Sequence, residues 1–285
     1  MKLDRIDLAD IHAPRRLARA LQRQLGKIAP PVPIIEIAKA LDISEVRTET
    51  LDGVEGMLLT DKVRSTGAIL ANNRHGSRRT RFTIAHELGH FLMERHALSD
   101  EGGFRCSGRD MRETREGRQE LRQEAEANRF AIELLAPPAM VIGHLSKDPD
   151  LRNAQRLRDT LDISLEACVR RMIDCRDEPL AAVWSHQGRV RYSVRDARFP
   201  FIPLKPRDPL PQTSHAVRAV TNARPGFTEF SEAHSLAWTN RPGLNLVEQT
   251  RLARKGHAVT LLWADLPEED EDDSGLPELG LPGFR

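Results

Sequence analysis

Cysteine is scarce in this chain: three residues in 285, Cys106, Cys168 and Cys175. An odd number with no C-x-x-C spacing excludes a disulfide framework and a cysteine-built zinc site, and it suits a reducing compartment. Long apolar runs are also missing. None reaches the roughly 20 residues that span a bilayer, and the opening MKLDRIDLADIHAPRR has no apolar centre of the kind a secretory signal carries. The expectation is a cytoplasmic protein with no membrane attachment. Charge of one sign is lacking too. Lys+Arg 43 against Asp+Glu 42 leaves a formal net charge of +1, so no global field argues for nucleic acid or a lipid surface. No internal repeat is present, and the length allows one large domain or two to three small ones.

What is present centres on one stretch, TRFTIAHELGHFLMERH, from Thr80 to His96. His86, Glu87 and His90 spell H-E-x-x-H. On a helix, residues four apart share a face, separated by one turn of about 5.4 Å. Both imidazoles can then reach one metal ion, while Glu87 points beside it, free to take a proton from water. This is the zinc-peptidase signature. The flanks Ile84, Ala85, Leu88, Phe91 and Leu92 are apolar, so the helix reads as buried. Burying two histidines and a glutamate without partners costs several kcal/mol, and a metal is the simplest compensation.

The rest of the chain reads as α+β. An apolar stripe (Leu17, Ala18, Leu21, Leu25) marks a helix over 14–25, broken by PPVP, and IIEIAKAL restarts one over 34–41. Strand-like pieces follow at 46–50, 56–60 and 66–72, with an Asp52-Gly53 turn. A small sheet thus precedes the metal helix. The polar stretch after His96 reads as a mobile loop. Glu120 to Ala136, ELRQEAEANRFAIELLA, reads as a second helix stopped by Pro137-Pro138. The expected layout is a zinc-peptidase domain over 1–140, a helical, helix-turn-helix-like module over 141–178, an α+β C-terminal domain over 179–266 that could sense a ligand, and an acidic disordered tail over 267–285.

Catalytic zinc sites take three protein ligands, so a third is needed. His96 stands where one peptidase class places a third histidine, but that class needs a helix-breaking glycine midway. Met93 stands there, so the helix can continue and carry His96 away. Glu124 and Glu126 on the second helix are the other candidates, and one helix can hardly present both to the same ion. Glu124 shares a face with Asn128, which could hydrogen-bond a ligand histidine. That favours Glu124, with Glu126 read as a solvated charge. For the oxyanion, His215 and Tyr192 are candidates. Cys106 reads as an incidental thiol in the loop, the other reading being a thiolate cap on the metal.

RRTRFTIAHELGH followed by EAEANRFAIELLAP resembles the ImmA/IrrE family of metallopeptidases, with weaker similarity upstream through GMLLT and GAILANN. The resemblance covers about Leu17 to Pro138. It implies a gluzincin-like fold, His86, His90 and Glu124 as zinc ligands (manganese being possible in cells), and Glu87 as acid/base. It also implies cleavage of an Xre-type helix-turn-helix repressor in response to stress or a mobile-element signal. No repressor-like domain precedes the peptidase segment, so the expected partner is a separate protein chain, with no membrane and no direct nucleic-acid contact. Two alternatives stand beside this: a toxin–antitoxin partner, or a DNA-binding regulator with a vestigial metal fold. The latter would use LDISLEACVRRM, with Arg170 and Arg171 on the recognition helix. The start of that helix, Ser164-Leu165-Glu166, puts a carboxylate where phosphate would lie.

Overall fold

In the computed structural model, which describes residues 2–98, 103–112 and 118–266, the stripe of Leu17, Ala18 and Leu21 is fully buried on a helix that begins at Pro14. Proline suits that first turn because its missing N–H has no intrahelical partner to lose. The chain forms two units, Met1–Arg176 and Asp177–Arg285. Among the described residues they hold ten α-helices and two sheets, an α+β fold. The tail expected over 267–285 lies outside the described residues.

The first unit runs α1 (Ile6–Ala9), α2 (Pro14–Leu25), α3 (Ile34–Ala40), β1 (Ile43–Glu49), β2 (Gly56–Thr60), β3 (Gly67–Asn72), α4 (Ser77–Leu92), β4 (Gly103–Cys106), α5 (Gln119–Leu135), α6 (Pro138–Ile142), α7 (Leu151–Leu161) and α8 (Leu165–Asp174). Its sheet has the order β1-β3-β2-β4, with β1 parallel to β3 and the other pairs antiparallel. Helix α4 packs against β2 and β3 and crosses α5. Every residue from Thr83 to Leu92 is buried, which explains why its polar residues need partners. Gly89 makes the crossing possible: a Cβ there would lie 2.9 Å from the Phe130 ring and 3.4 Å from the Ala127 backbone. Without a side chain at position 89, α5 comes close enough to lay its polar face over the two histidines.

The three expected strands are present, with β1 starting three residues earlier than the sequence suggests. Strand β4 corrects the mobile-loop expectation for part of the stretch after His96. It pairs antiparallel with β2, Gly56 opposite Cys106. Its four residues lie inside a polar, charged segment, so no sustained alternation announces it.

The helical segment expected over 141–178 lies within the first unit. Helix α7 is capped by Asp150 and α8 by Ser164, whose side chains accept from the Arg152 and Ala167 amides. Arg171 on α8 is buried. Its Nε donates to the Ala136 carbonyl and its Nη2 to Glu133 Oε2 on α5, each at 2.8 Å. Arg170 pairs with Glu166 one turn earlier. One of the two arginines that a DNA-reading helix would use, Arg171, is therefore committed to the interior.

The second unit contributes β5 (Leu180–His186), β6 (Arg189–Arg195), α9 (His215–Thr221), β7 (Gly226–Phe227), β8 (Ser231–Ala233), α10 (Ser235–Trp238), β9 (Asn245–Leu252) and β10 (His257–Asp265). The sheet order is β6-β5-β10-β9-β7, with β8 also on β9. Strands β5 and β10 are almost wholly buried, as their unbroken apolar runs imply. Trp238 and Phe199 anchor the core. The Trp238 indole N–H donates to Glu248, whose other oxygen accepts from the Ala216 amide. Among the described residues no helix is long and apolar enough to cross a membrane.

Candidate metal centre

Helix α4 stops at Leu92 rather than continuing through Met93 as expected, and Arg64 is the physical reason. Its Nη1 donates to the carbonyls of His90 (2.6 Å), Phe91 (3.1 Å) and Met93 (2.8 Å), and its Nη2 to the carbonyl of His96. One guanidinium thus satisfies the carbonyls a helix end leaves open, and the chain turns back so that His96 is buried beside His90. Arg64 is only 4% exposed. Arg64→Met is expected to destabilise the first unit by about 2–3 kcal/mol, because buried carbonyls lose their donors. Urea denaturation measures this.

His86, His90 and Glu124 converge. The Nε2 atoms of the two histidines lie 3.0 Å apart; Glu124 Oε2 lies 3.1 Å from His86 Nε2, and its Oε1 3.4 Å from His90 Nε2. Each imidazole is held from behind. His86 Nδ1 donates to Asn128 Oδ1 at 2.9 Å, and Asn128 is oriented by its Nδ2 donating to the Asp110 carbonyl at 3.0 Å. His90 Nδ1 meets His96 Nδ1 at 2.9 Å, and His96 Nε2 meets Glu126 Oε2 at 3.0 Å. Burial, then the nearby His90, pushes His96 down to about 3, so it is neutral. With its proton on Nε2 toward Glu126, its Nδ1 accepts from His90 and leaves His90 Nε2 bare. Both supporting bonds therefore aim a nitrogen lone pair at the same point.

Glu126 is not the solvated charge expected from the sequence. It is 8% exposed and paired with His96 and Arg95. It and His96 back the centre instead of entering it. His215 and Tyr192, the oxyanion candidates, belong to the second unit, where His215 meets the Glu232 carbonyl and Tyr192 stacks on Trp184.

Glu87 is fully buried, and among the described residues the neighbouring Cys106 thiol is what its carboxylate has for a hydrogen-bond donor. Its Oε1 occupies the space a Cβ of Gly56 would take, 2.2 Å from that position. Burial pushes Glu87 up to about 7, while His86 and the neighbouring Cys106 thiol act the other way. Burial likewise opposes charge on Glu124, but the two histidines outweigh it and hold that carboxyl well below the usual range. For His86, burial opposes protonation, yet Glu124, Glu87 and Asn128 together raise its pKa; for His90, burial dominates and lowers it to about 4.

Cys106 is not the incidental loop thiol that the sequence favoured, and it stands beside the cluster as the other reading would have it. Cys106 is a buried residue of β4, and its thiol, with His86, His90 and Glu124, forms a set of ligand atoms all within 4.8 Å of one another. Phe104, two residues earlier, stacks on the His90 ring at 4.2 Å. The only sequence signal was the i, i+2 relation of Phe104 and Cys106, which places both on one face of a strand.

This set suits a divalent metal. Donors about 2.0–2.1 Å from a tetrahedral zinc stand about 3.3 Å from each other, and the three nitrogen and oxygen separations above run from 3.0 to 3.4 Å. The buried Glu87 carboxyl follows His86 directly on the same helix.

No curated protein matches the chain significantly in sequence. A solved structure described as a Mycobacterium tuberculosis transcriptional regulator shares the fold, with a TM-score of 0.54 and 14% sequence identity, over 92% of this chain and 80% of that one. The family model for the IrrE N-terminal-like domain, Peptidase M78, matches residues 42–172. It begins later than the motif resemblance and runs further, taking in α7 and α8, the helices that Arg171 ties to α5. Residues 42–172 thus match the model of the IrrE N-terminal-like domain, in line with the resemblance carried by the two motif segments.

Proposed function

We propose that the chain is a zinc-dependent endopeptidase, acting in the cytoplasm on a separate Xre-type helix-turn-helix repressor under stress or a mobile-element signal. The observation that carries the reading is the convergence of His86, His90 and Glu124 beside the fully buried Glu87 carboxyl. In this reading His86, His90 and Glu124 hold the metal, with zinc favoured by the donor set and manganese the alternative. A divalent metal supplies Lewis-acid polarisation of the scissile carbonyl and makes water acidic enough to yield its proton near neutral pH. Glu87 takes that proton and passes it to the leaving amine. Asn128 and the His96–Glu126 pair keep the imidazoles oriented. The repressor substrate is supported by the family's known role and fits a fold shared with a protein described as a transcriptional regulator.

The test measures metal content and cleavage together, using the Xre-type repressor encoded nearest the gene. Wild type and Glu87→Gln are expected to carry stoichiometric metal and Glu124→Ala little. Asn128→Ala should bind metal about 10–100-fold more weakly, the usual cost of losing such a supporting bond. Cleavage is expected from wild type and not from Glu87→Gln. Metal binding with an intact repressor would remove that substrate; absence of metal in wild type would remove the peptidase reading.

A further inference from the structure

We infer that Cys106 is a fourth protein ligand of this centre, so that the resting site is closed. The inference rests on the reading that His86, His90 and Glu124 hold a metal. Catalytic zinc sites leave the fourth position to water, whereas sites with four protein ligands are closed. Here Cys106 Sγ lies 3.9 Å from His90 Nε2 and 3.8 Å from Glu124 Oε1. Sulfur about 2.3 Å from a tetrahedral zinc stands about 3.6 Å from the nitrogen and oxygen ligands, close to both separations, and the thiol lies within 4.8 Å of the His86 ligand nitrogen.

The sheet, and not chance, puts it there. Cys106 is 1% exposed. It stands opposite Gly56 across the β2–β4 ladder, and its carbonyl accepts from the Glu55 amide at 2.9 Å. Gly103 lets β4 approach β2, since a Cβ there would lie 2.1 Å from the Leu58 carbonyl oxygen. Gly56, the partner residue, is also the one whose missing side chain makes room for Glu87. One short ladder therefore positions both the base and the sulfur. The fully buried Glu87 carboxyl lies against the same Gly56 and beside the Cys106 thiol.

Two consequences follow. A thiolate favours zinc over manganese, so the sulfur helps select the metal. The centre is also guarded: water and a peptide carbonyl must displace or crowd the thiolate, and wild type works more slowly than Cys106→Ala at equal metal content.

The experiment loads the full metal-free chain with Co²⁺ and records its spectrum, and measures zinc X-ray absorption on the wild type. Wild type is expected to show a thiolate-to-cobalt charge-transfer band and a zinc–sulfur shell near 2.3 Å. The band should vanish in Cys106→Ser while the visible cobalt bands persist, and it should survive in Cys168→Ala and Cys175→Ala. A wild type that binds metal through nitrogen and oxygen alone would overturn the Cys106 assignment and leave the His86, His90 and Glu124 reading standing. A wild type that binds no metal would overturn that reading and, with it, this one. The zinc absorption measurement needs no variant, so misfolding of Cys106→Ser does not shield the inference.

Discussion

Glu87→Gln is expected to lower the cleavage rate by about 10²–10⁴-fold, the range for loss of a general acid/base, while its metal content stays at the wild-type level. The same substitution carries a second, opposite effect. Glu87 is fully buried, and burial raises its pKa from an ordinary 4.5 to about 7. Between those values the folded, metal-free chain binds more protons at this site than the unfolded chain, so this contribution to stability falls as pH rises. Below pH 4.5 both states are protonated and nothing is lost. Above 7 the full burden is present, about 3 kcal/mol from the difference between the two values. Glutamine does not titrate and escapes that slope. Urea denaturation of metal-free wild type and Glu87→Gln at pH 5 and pH 8 is expected to show the variant gaining on wild type at the higher pH. A difference that stays constant would mean the carboxylate has solvent or a partner. Function at this position is thus bought with stability.

Glu133→Ala is expected to cost about 3–5 kcal/mol, because removing one member of a buried pair strands the other charge. Glu133 is 1% exposed and meets Arg171, itself 4% exposed, and also Arg19 on α2. Gln22, one helical turn from Arg19, donates to the Glu133 carbonyl at 2.7 Å. The pair joins α8 and α2 to the helix that carries Glu124, so the cost falls on the metal-binding scaffold. Replacing both partners, Glu133→Leu with Arg171→Met, is expected to recover most of the loss, since well-packed apolar residues often replace a buried pair without penalty. A double-mutant cycle by urea denaturation measures the coupling. A cost below about 1 kcal/mol would place the pair among solvent-screened bridges.

Much of the centre was legible in the residues. H-E-x-x-H has a fixed helical spacing, so His86, Glu87 and His90 could be assigned roles wherever the helix packed. Glu124 could be preferred because Asn128 stands one turn further on the same face. These are local relations, set by the pitch of one helix, and local relations survive into the fold.

What the sequence could not decide depended on groups far apart in the chain. The end of α4 was set by Arg64, 28 residues before Leu92, through bonds that no helical periodicity records. The fate of His96 and Glu126 followed from that turn. Strand β4 exists because β2 offers an edge to pair with, and four residues in a polar segment carry too little alternation to show it. The pairing carried Cys106 from a loop position to one beside His90 and Glu124. By itself, then, the sequence determined which residues could share a helix face and so which chemistry was available. The tertiary structure decided which of them meet, because hydrogen-bond pairing across strands and charge burial between helices act at separations no local pattern encodes.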